Sequence, residues 1–488
     1  MPYTSLRDFV EFLEERDQLA RIAVPVSPVL EITEIVDRVS KGPAAQNKAL
    51  LFENVTGHDM PVLANAFGSP QRMAWALGVE ELEDLRRKLE ALLDLSPPDG
   101  IGDALARGRA LLGALRDAGV KPRRVHHGAV QDVVEADAPS LDVLPILTCW
   151  PDDGGPFVTL PQVVTRDPVK GTRNVGMYRL QKVDARTLLV HWQRHKGGAE
   201  HERVALERDK PRIPAAVVLG GDPAYTWSAS APLPPDIDEY WLAGWLRGRP
   251  VPFVNCVSQP LEVPADADIV IEGYVDPNEH RPEGPFGDHT GYYTPVEPFP
   301  VFYVTAITHR RDPIYPATVV GIPPMEDAWM GKATERLFLP LIRLFLPEVV
   351  DVAMPAPGLF HNLVLVSIKK RFPGHARKVI HGLWGLALLS LAKAIVVVDD
   401  WVDVQNPTEA AWQALGNVDW TCDVVIADGP VDQLDHAAPR EAFGGKIGID
   451  ATAKLPEEGH PRPWPAVVRM TPEVKARIDA LWDEMQRT

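Results

Sequence analysis

The run Glu283-Gly284-Pro285-Phe286-Gly287-Asp288-His289-Thr290-Gly291-Tyr292-Tyr293 puts two carboxylates, an imidazole and two phenols on one short piece of chain. Gly284-Pro285 and Phe286-Gly287 are turn dipeptides, so the backbone between Glu283 and Asp288 must bend and can fold both acids toward one point. Two carboxyl groups confined in one site separate their pKa values, one staying ionised while the other holds or passes a proton near neutral pH. The chemistry such a loop offers is proton transfer. A surface turn with solvated acids is the alternative.

A loop of this kind needs a large frame. At 488 residues the chain exceeds what one hydrophobic core organises, so two or three domains are expected. Hydrophobic residues at 45% and charged residues at 24% are the balance of a folded protein rather than a disordered or fibrous one. The formal net charge of −17 argues against nucleic acid as a partner, because phosphate binding needs clustered Lys and Arg. A local basic cluster does exist: Arg173, Arg179, Lys182, Arg194 and Lys196 form either a pocket for an anion or a solvated strand face. Cys149, Cys256 and Cys422 are too widely spaced for a disulfide framework or a zinc knuckle, which points to a reducing compartment. No signal-peptide pattern opens the chain, so a cytoplasmic location is expected. Residues 379–398 are the best membrane-span candidate, but they contain His381 and Lys393 and read as a helix followed by a strand.

The elements that must position the loop follow from periodicity. Leu6, Phe9, Val10 and Leu13 share one helical face over residues 5–17, with Ser5 and Asp8 placed to cap the first turn. A helix near 29–41, strands near 49–54 and 61–65, and helical stretches at 70–95 and 102–118 complete an α/β domain over 1–120. From 121 to 320, β-rich runs at 157–165, 174–180, 187–193, 215–219, 251–256, 269–275 and 301–309 predict a split antiparallel barrel. A helix over 327–345 opens a second α/β unit, 321–465. There Ala394-Ile395-Val396-Val397-Val398 reads as a parallel strand buried on both faces, with Asp399 and Asp400 marking the crevice end of its sheet. Met325, Trp329, Met330, Leu337 and Phe338 are core or substrate wall. Residues 466–488 form a closing amphipathic helix, with Thr471 as cap and Val474, Ile478, Leu481 and Trp482 on one face.

The acid loop resembles, nearly letter for letter, the signature of the UbiD family of prenylated-flavin-dependent decarboxylases. Leu30–Ile35, Ala49–Asn54, Thr148–Pro151, Asn174–Arg179, His195–Gly198 and Ile368–His375 look like family segments in family order. The likeness is greatest to the members that act on 3-polyprenyl-4-hydroxybenzoate in ubiquinone biosynthesis. It implies Asp288, Glu283 and Arg179 as catalytic residues. It implies a prenylated FMN held by Asn174, Met177, Tyr178, Arg179, His191, Trp192, Gln193, Lys196, Gly197 and Glu239. A phosphate-bridging Mn2+ or Mg2+ on Asn174, His195 and Glu239 is also implied, with a K+ near Ser228-Ala229-Ser230. His191 and Lys196 depart from the arginines of the ubiquinone-pathway relatives, which implies altered cofactor contacts.

The resemblance implies non-oxidative decarboxylation, with Arg179 and Glu283 orienting the reacting groups and Asp288 delivering the proton that replaces carbon dioxide. In a closed apolar pocket Asp288 is expected to hold that proton, and His289 to support the loop by hydrogen bonding. Implied partners are a prenylated-flavin synthase as cofactor source, a polyprenyl aromatic acid, the inner-membrane surface contacted peripherally, and a second copy of the chain in a dimer or hexamer through the last helix. Gly321-Ile322-Pro323-Pro324 is the expected hinge. A small hydroxyaromatic acid decarboxylated reversibly is the second reading, and a flavin-binding reductase without decarboxylase chemistry the third.

Overall fold

The computed structural model describes residues 3–92, 102, 106, 121–194, 196–234 and 237–485, so the expected helix at 102–118 falls almost wholly outside the described residues, as does His195. The first helix, Leu6–Glu15, starts where the Ser5 hydroxyl accepts the Asp8 N–H, and it buries Leu6, Phe9, Val10 and Leu13. Its packing surface is a four-stranded sheet in which Leu19–Ile22, Ala49–Phe52 and Val62–Ala64 are joined by Tyr315–Pro316, a strand from far along the chain. In Ala49–Phe52, Leu50 and Phe52 enter one core while Ala49 and Leu51 enter another, so both faces of this sheet are covered. The helical stretch expected at 70–95 is two helices, Pro70–Ala76 and Glu83–Glu90. Gly78 at φ +72° turns the chain between them, which no continuous helix allows.

The central unit holds a nine-stranded antiparallel sheet in the place of the expected split barrel, and the run expected at 251–256 pairs apart from it, in a three-stranded sheet of Arg123–Arg124, Pro252–Asn255 and Glu262–Pro264. Ile269–Glu283 and Glu297–His309 are its long spine, paired from Ile269↔His309 to Glu283↔Glu297. The run expected at 157–165 is interrupted: Phe157–Val158 and Gln162–Arg166 pair with different neighbours, because Pro161 lacks the N–H that a continuous ladder requires. Residues 174–180 divide in the same way, Arg173–Gly176 and Leu180–Asp184 leaving Met177, Tyr178 and Arg179 on the connection between them.

Helix Glu326–Phe345 ties the three regions together. Met330, Ala333, Leu337 and Leu344 join the core shared with the first helix, and Trp329 and Phe338 pack against that core, so the stripe is mostly core. Arg336 donates to Glu83 at 3.4 Å on one side and to Asp351 at 2.8 Å on the other. Beyond it lies a five-stranded mixed sheet in which Ala394–Asp399 has parallel neighbours on both sides, Leu363–Ile368 and Phe443–Asp450, and is buried on both faces as expected. Asp399 is used structurally, accepting the Ala453 N–H and a Gln413 side-chain N–H. The last helix, Pro472–Met485, leaves Ile478, Leu481 and Trp482 exposed. Among the described residues no helix is long and apolar enough to cross a membrane.

Arg72 is fully buried and donates to the carbonyls of Asn47 (2.6 Å) and Asn65 (3.2 Å) and to the side chains of Gln18 and Asn47. Arg72→Met strands those acceptors in the core. It should cost about 3 kcal/mol, read as a fall in the urea midpoint at unchanged m-value.

Candidate active site

Glu283 ends the long strand pointing inward and is fully buried. Gly284, at φ +96°, reverses the chain in a conformation that side chains avoid. Phe286–Gly287 and Tyr293–Thr294 then form a two-stranded ribbon that returns the chain, with Asp288 at its turn. The loop is therefore partly regular structure, and it is held from outside by its neighbours. Gln181 Oε1 accepts the Gly284 N–H at 2.8 Å, Asp153 Oδ1 accepts the Gly287 N–H at 2.8 Å, and Gly154 N donates to the Pro285 carbonyl at 2.7 Å. The Trp150 indole lies so close that a Cβ at Gly287 would stand 2.2 Å from it, which is why glycine occupies that position.

One guanidinium joins the two acids. Arg179 Nε and Nη2 donate to Glu283 Oε1 (2.8 Å) and Oε2 (3.0 Å), Nη1 donates to Asp288 Oδ2 (2.5 Å), and Nη2 also reaches Thr294 Oγ1 (3.0 Å). The Phe286 ring stands 4.5 Å beneath the cation. His191 Nδ1 is 3.2 Å from Glu283 Oε2, so it carries the hydrogen. His191 Nε2 is left buried without a hydrogen-bond partner among the described residues.

These contacts set the charges. Burial pushes Glu283 up, but the His191 and Arg179 hydrogen bonds outweigh it and hold the carboxyl at about 2. Asp288 is likewise raised by burial and pulled well below the usual carboxylate range by the hydrogen bond and charge of His289 and the charge of Arg179. The expectation that Asp288 holds a proton is thus not met in this arrangement, because ion pairing outweighs desolvation. The proton sits next door. Burial lowers His289, but its 2.9 Å hydrogen bond from Nδ1 to Asp288 Oδ1 and that acid's charge raise it to about 9. His191 is pushed down by burial and by Arg179, so it is neutral.

The remaining candidates gather in a second cluster. Glu239, at the start of helix Glu239–Arg247, accepts the Val175 N–H at 2.8 Å beside Asn174. The Asn174 side chain lies over Gly197, where a Cβ would meet its Oδ1 at 1.9 Å. The buried Tyr178 hydroxyl oxygen accepts from Asn174 Nδ2 (3.4 Å) and from the Gly198 N–H (3.2 Å). Burial raises Glu239 to about 8, which is the state of a buried carboxylate that a cation would relieve. Trp192 Nε1 and Ser228 Oγ are also buried without partners among the described residues. This donor and acceptor set fits a phosphate-bearing aromatic cofactor with a cation. Met177 packs between two cores, Gln193 accepts the Lys196 N–H through its carbonyl, and Lys196 is lowered by burial against the opposing charge of Asp432. Among the described residues no cluster of three His, Cys, Asp or Glu side chains forms a metal centre by itself.

Sequence reading missed Asp153, Gln181, Thr294 and His361. Asp153 precedes Gly154-Gly155, a turn signal that could have marked it, whereas His361 has no local signal at all.

Models of three domains, described as the N-terminal, Rift-related and C-terminal domains of 3-octaprenyl-4-hydroxybenzoate carboxy-lyase, match residues 10–92, 123–323 and 328–451. An uncharacterized protein of Aquifex aeolicus is 52% identical, with 99% of each chain covered. Among solved structures, vanillic acid decarboxylase of Sedimentibacter hydroxybenzoicus in its closed form is 26% identical with a TM-score of 0.86, over 99% of both chains. The UbiD-class enzyme HmfF of Pelotomaculum thermopropionicum, in complex with FMN, is 31% identical with a TM-score of 0.79, over 94% of this chain and 97% of that one.

The pKa shifts dictate a pH profile of stability. Glu283 and Asp288 are depressed, so the stability they add is present above the ordinary carboxylate range and is lost as pH falls toward 2. His289 is raised from 6.5 to about 9, so its contribution is full below 6.5 and is lost as pH climbs through 9. Thermal melts should therefore show stability declining above pH 6.5 by on the order of 3 kcal/mol in total, and H289Q should flatten that alkaline decline.

Proposed function

The chain belongs to the UbiD family of aromatic acid decarboxylases, and from that premise we propose that it removes carbon dioxide from 3-polyprenyl-4-hydroxybenzoate, as a step of ubiquinone biosynthesis, with a prenylated FMN as cofactor. The observation that carries the catalytic reading is the Arg179 guanidinium bridging Glu283 and Asp288 in a buried, phenylalanine-floored site. Matches to all three domain models of the polyprenyl enzyme support the substrate. A small aromatic acid is the second reading, favoured by the near full-length likeness to the vanillic acid decarboxylase.

A carboxylate leaves an aromatic ring with its electron pair in the ring plane, where nothing stabilises it. The flavin, when bound, supplies the electron sink that no side chain offers. The chain's own residues do the rest. Met177, Tyr178, Trp192 and Gly197 would cradle the flavin. Asn174 and Glu239, with His195, would hold a Mn2+ or Mg2+ at its phosphate, and the buried Ser228 hydroxyl would face a K+. Arg179 neutralises and orients the carboxylates. Glu283, fixed by two donors, remains ionised, and His191, held by Glu283 through Nδ1, would have its unpartnered Nε2 free to meet the cofactor. Asp288 draws a proton from His289 Nδ1 at 2.9 Å and delivers it to the ring carbon that has lost carbon dioxide. Solvent restores that proton, so each turnover consumes one.

On this reading a prenylated-flavin synthase supplies the cofactor. The substrate's tail lies in the bilayer, and the enzyme meets the inner-membrane surface peripherally from the cytoplasm. The uncovered face of helix Pro472–Met485 docks on a second copy of the chain.

Carbon dioxide release from 3-polyprenyl-4-hydroxybenzoate, by protein co-produced with the synthase and not by protein made without it, is the expected result. Release from vanillate-type acids alone would move the substrate to the second reading, and NAD(P)H oxidation without release would favour a reductase. Asp288→Asn should lower turnover by roughly 10²–10⁴-fold while near- and far-ultraviolet dichroism stay native.

A further inference from the structure

We infer that His361, carried by the C-terminal unit, is a positioning residue of the proton-delivery site: its Nε2 accepts the Nε2–H of His289 and holds that ring as the doubly protonated donor facing Asp288. The inference rests on the decarboxylase reading for its use, but not for its geometry. His289 and His361 meet nitrogen to nitrogen, Nε2 to Nε2, at 3.0 Å, and the far side of His289 is fastened to Asp288 by both its Nδ1 (2.9 Å) and its backbone N–H (2.7 Å). A single hydrogen lies between the two rings, and with Asp288 ionised and accepting from Nδ1, two arrangements satisfy it. Either His289 is a cation donating to a neutral His361, or His361 donates to a neutral His289.

Two independent features choose the first. Asp288, Asp327 and Asp432 all turn negative charge toward His289, whereas His361 faces His289 itself and Lys196 against Asp432 alone. Second, neither His361 Nδ1 nor the Oδ1 of the adjoining Asn362 has any other partner among the described residues, both are buried, and the Asn362 side chain faces the His361 ring as an acceptor. An acceptor beside Nδ1 calls for a hydrogen on Nδ1, which leaves Nε2 bare to receive the bond from His289. The charge balance follows the same direction, since burial and the neighbouring His289 push His361 down to about 4.

The backbone is built to deliver this ring. Leu359 and Phe360 sit at φ 55° and 45°, two consecutive side-chain-bearing residues in the left-handed region, just before His361. Phe360 covers His289 with ring centroids 5.2 Å apart, and helix Glu326–Phe345 admits Phe360 only because position 331 is glycine, where a Cβ would meet Phe360 Cβ at 2.9 Å. The donor that recharges Asp288 thus depends on a residue 72 positions further along the chain in a different unit. Proton supply is complete only when the C-terminal unit lies over the acid loop.

The test is a histidine-selective ¹⁵N titration of the full-length, flavin-loaded protein, the two rings being assigned with H289Q and H361Q. In the wild type His289 should carry both hydrogens to above pH 8 and His361 should be the Nδ1–H tautomer. In His361→Phe, the His289 midpoint should fall by about one unit or more, and His361→Gln, whose side-chain oxygen can accept, should restore it to within a few tenths. A wild-type His361 protonated on Nε2 overturns the proposal without any variant, as does an unmoved midpoint in His361→Phe. None of these readouts requires turnover, so a protein that shows them yet releases no carbon dioxide rejects the functional reading and not the histidine pair.

Discussion

A buried guanidinium held between two buried carboxylates is the constraint around which this site is built. Removing charged groups from water costs several kcal/mol each, and only close, well-oriented pairing offsets it. Arg179 meets that requirement by using three of its nitrogens on Glu283 and Asp288 and a fourth contact on Thr294. Such geometry tolerates little slack, which explains the density of constraint nearby. Gly284 and Gly287 permit close approach, Asp153 and Gln181 fix the loop's N–H groups, and the long antiparallel spine delivers Glu283 to its depth. Removing one partner would leave the others as unpaired charge, so the triad is expected to behave as a unit rather than as three additive contributors.

What the amino-acid order revealed was whatever is written in short range. The buried strand at 394–398, the capped first helix and the acid loop are each specified by neighbouring residues, and each lies where its pattern indicated. The breaks were harder. Pro161 and Gly78 interrupt patterns that hydrophobicity alone carries through, because a missing N–H or a left-handed turn overrides propensity. Hardest were quantities set by several distant residues together. The proton expected on Asp288 sits on His289, because the hydrogen bond and charge of His289 itself, with the charge of Arg179 from more than a hundred positions away, together outweigh burial. His361 carries no motif, and only the packing of the C-terminal unit brings it to the loop.

That packing also explains how a chain with several cores can act as one site. Helix Glu326–Phe345 shares apolar surface with the N-terminal unit and ion pairs with both sides. From the connection between strands Val424–Pro430 and Phe443–Asp450 of the far sheet, Glu441 accepts from Arg194 at 2.9 Å, and the His436 ring centroid lies 4.2 Å from that of Tyr292 at the tail of the acid loop. The second cluster, around Asn174 and Glu239, is built wholly within the central unit. On the proposed reading, the Asn174–Glu239 part of the cofactor site would lie apart from the histidine pair, whereas Lys196, facing Asp432, would tie the cofactor site to the C-terminal unit as well.

Charge accounting connects these parts. Glu283 and Asp288 carry two negative charges, Arg179 and His289 two positive ones, and His191 is neutral, so these five groups sum to zero near neutral pH, with Asp327 and Asp432 adding negative charge on the far side of His289. On the decarboxylase reading a substrate carboxylate adds a third negative charge to a closed, low-dielectric space. The least costly response is for the nearest mobile proton, on His289 Nδ1, to pass to Asp288, because that replaces a carboxylate facing a carboxylate with a neutral acid. On that reading substrate binding would convert Asp288 from the ionised group of the resting site into the acid the reaction requires. The departing carbon dioxide is neutral, so the negative charge stays behind and is cancelled only when that proton reaches carbon. A permanently protonated Asp288 would bind Arg179 more weakly and loosen the loop. An ionised Asp288 with a protonated histidine at its side keeps the frame rigid and still supplies the acid on demand.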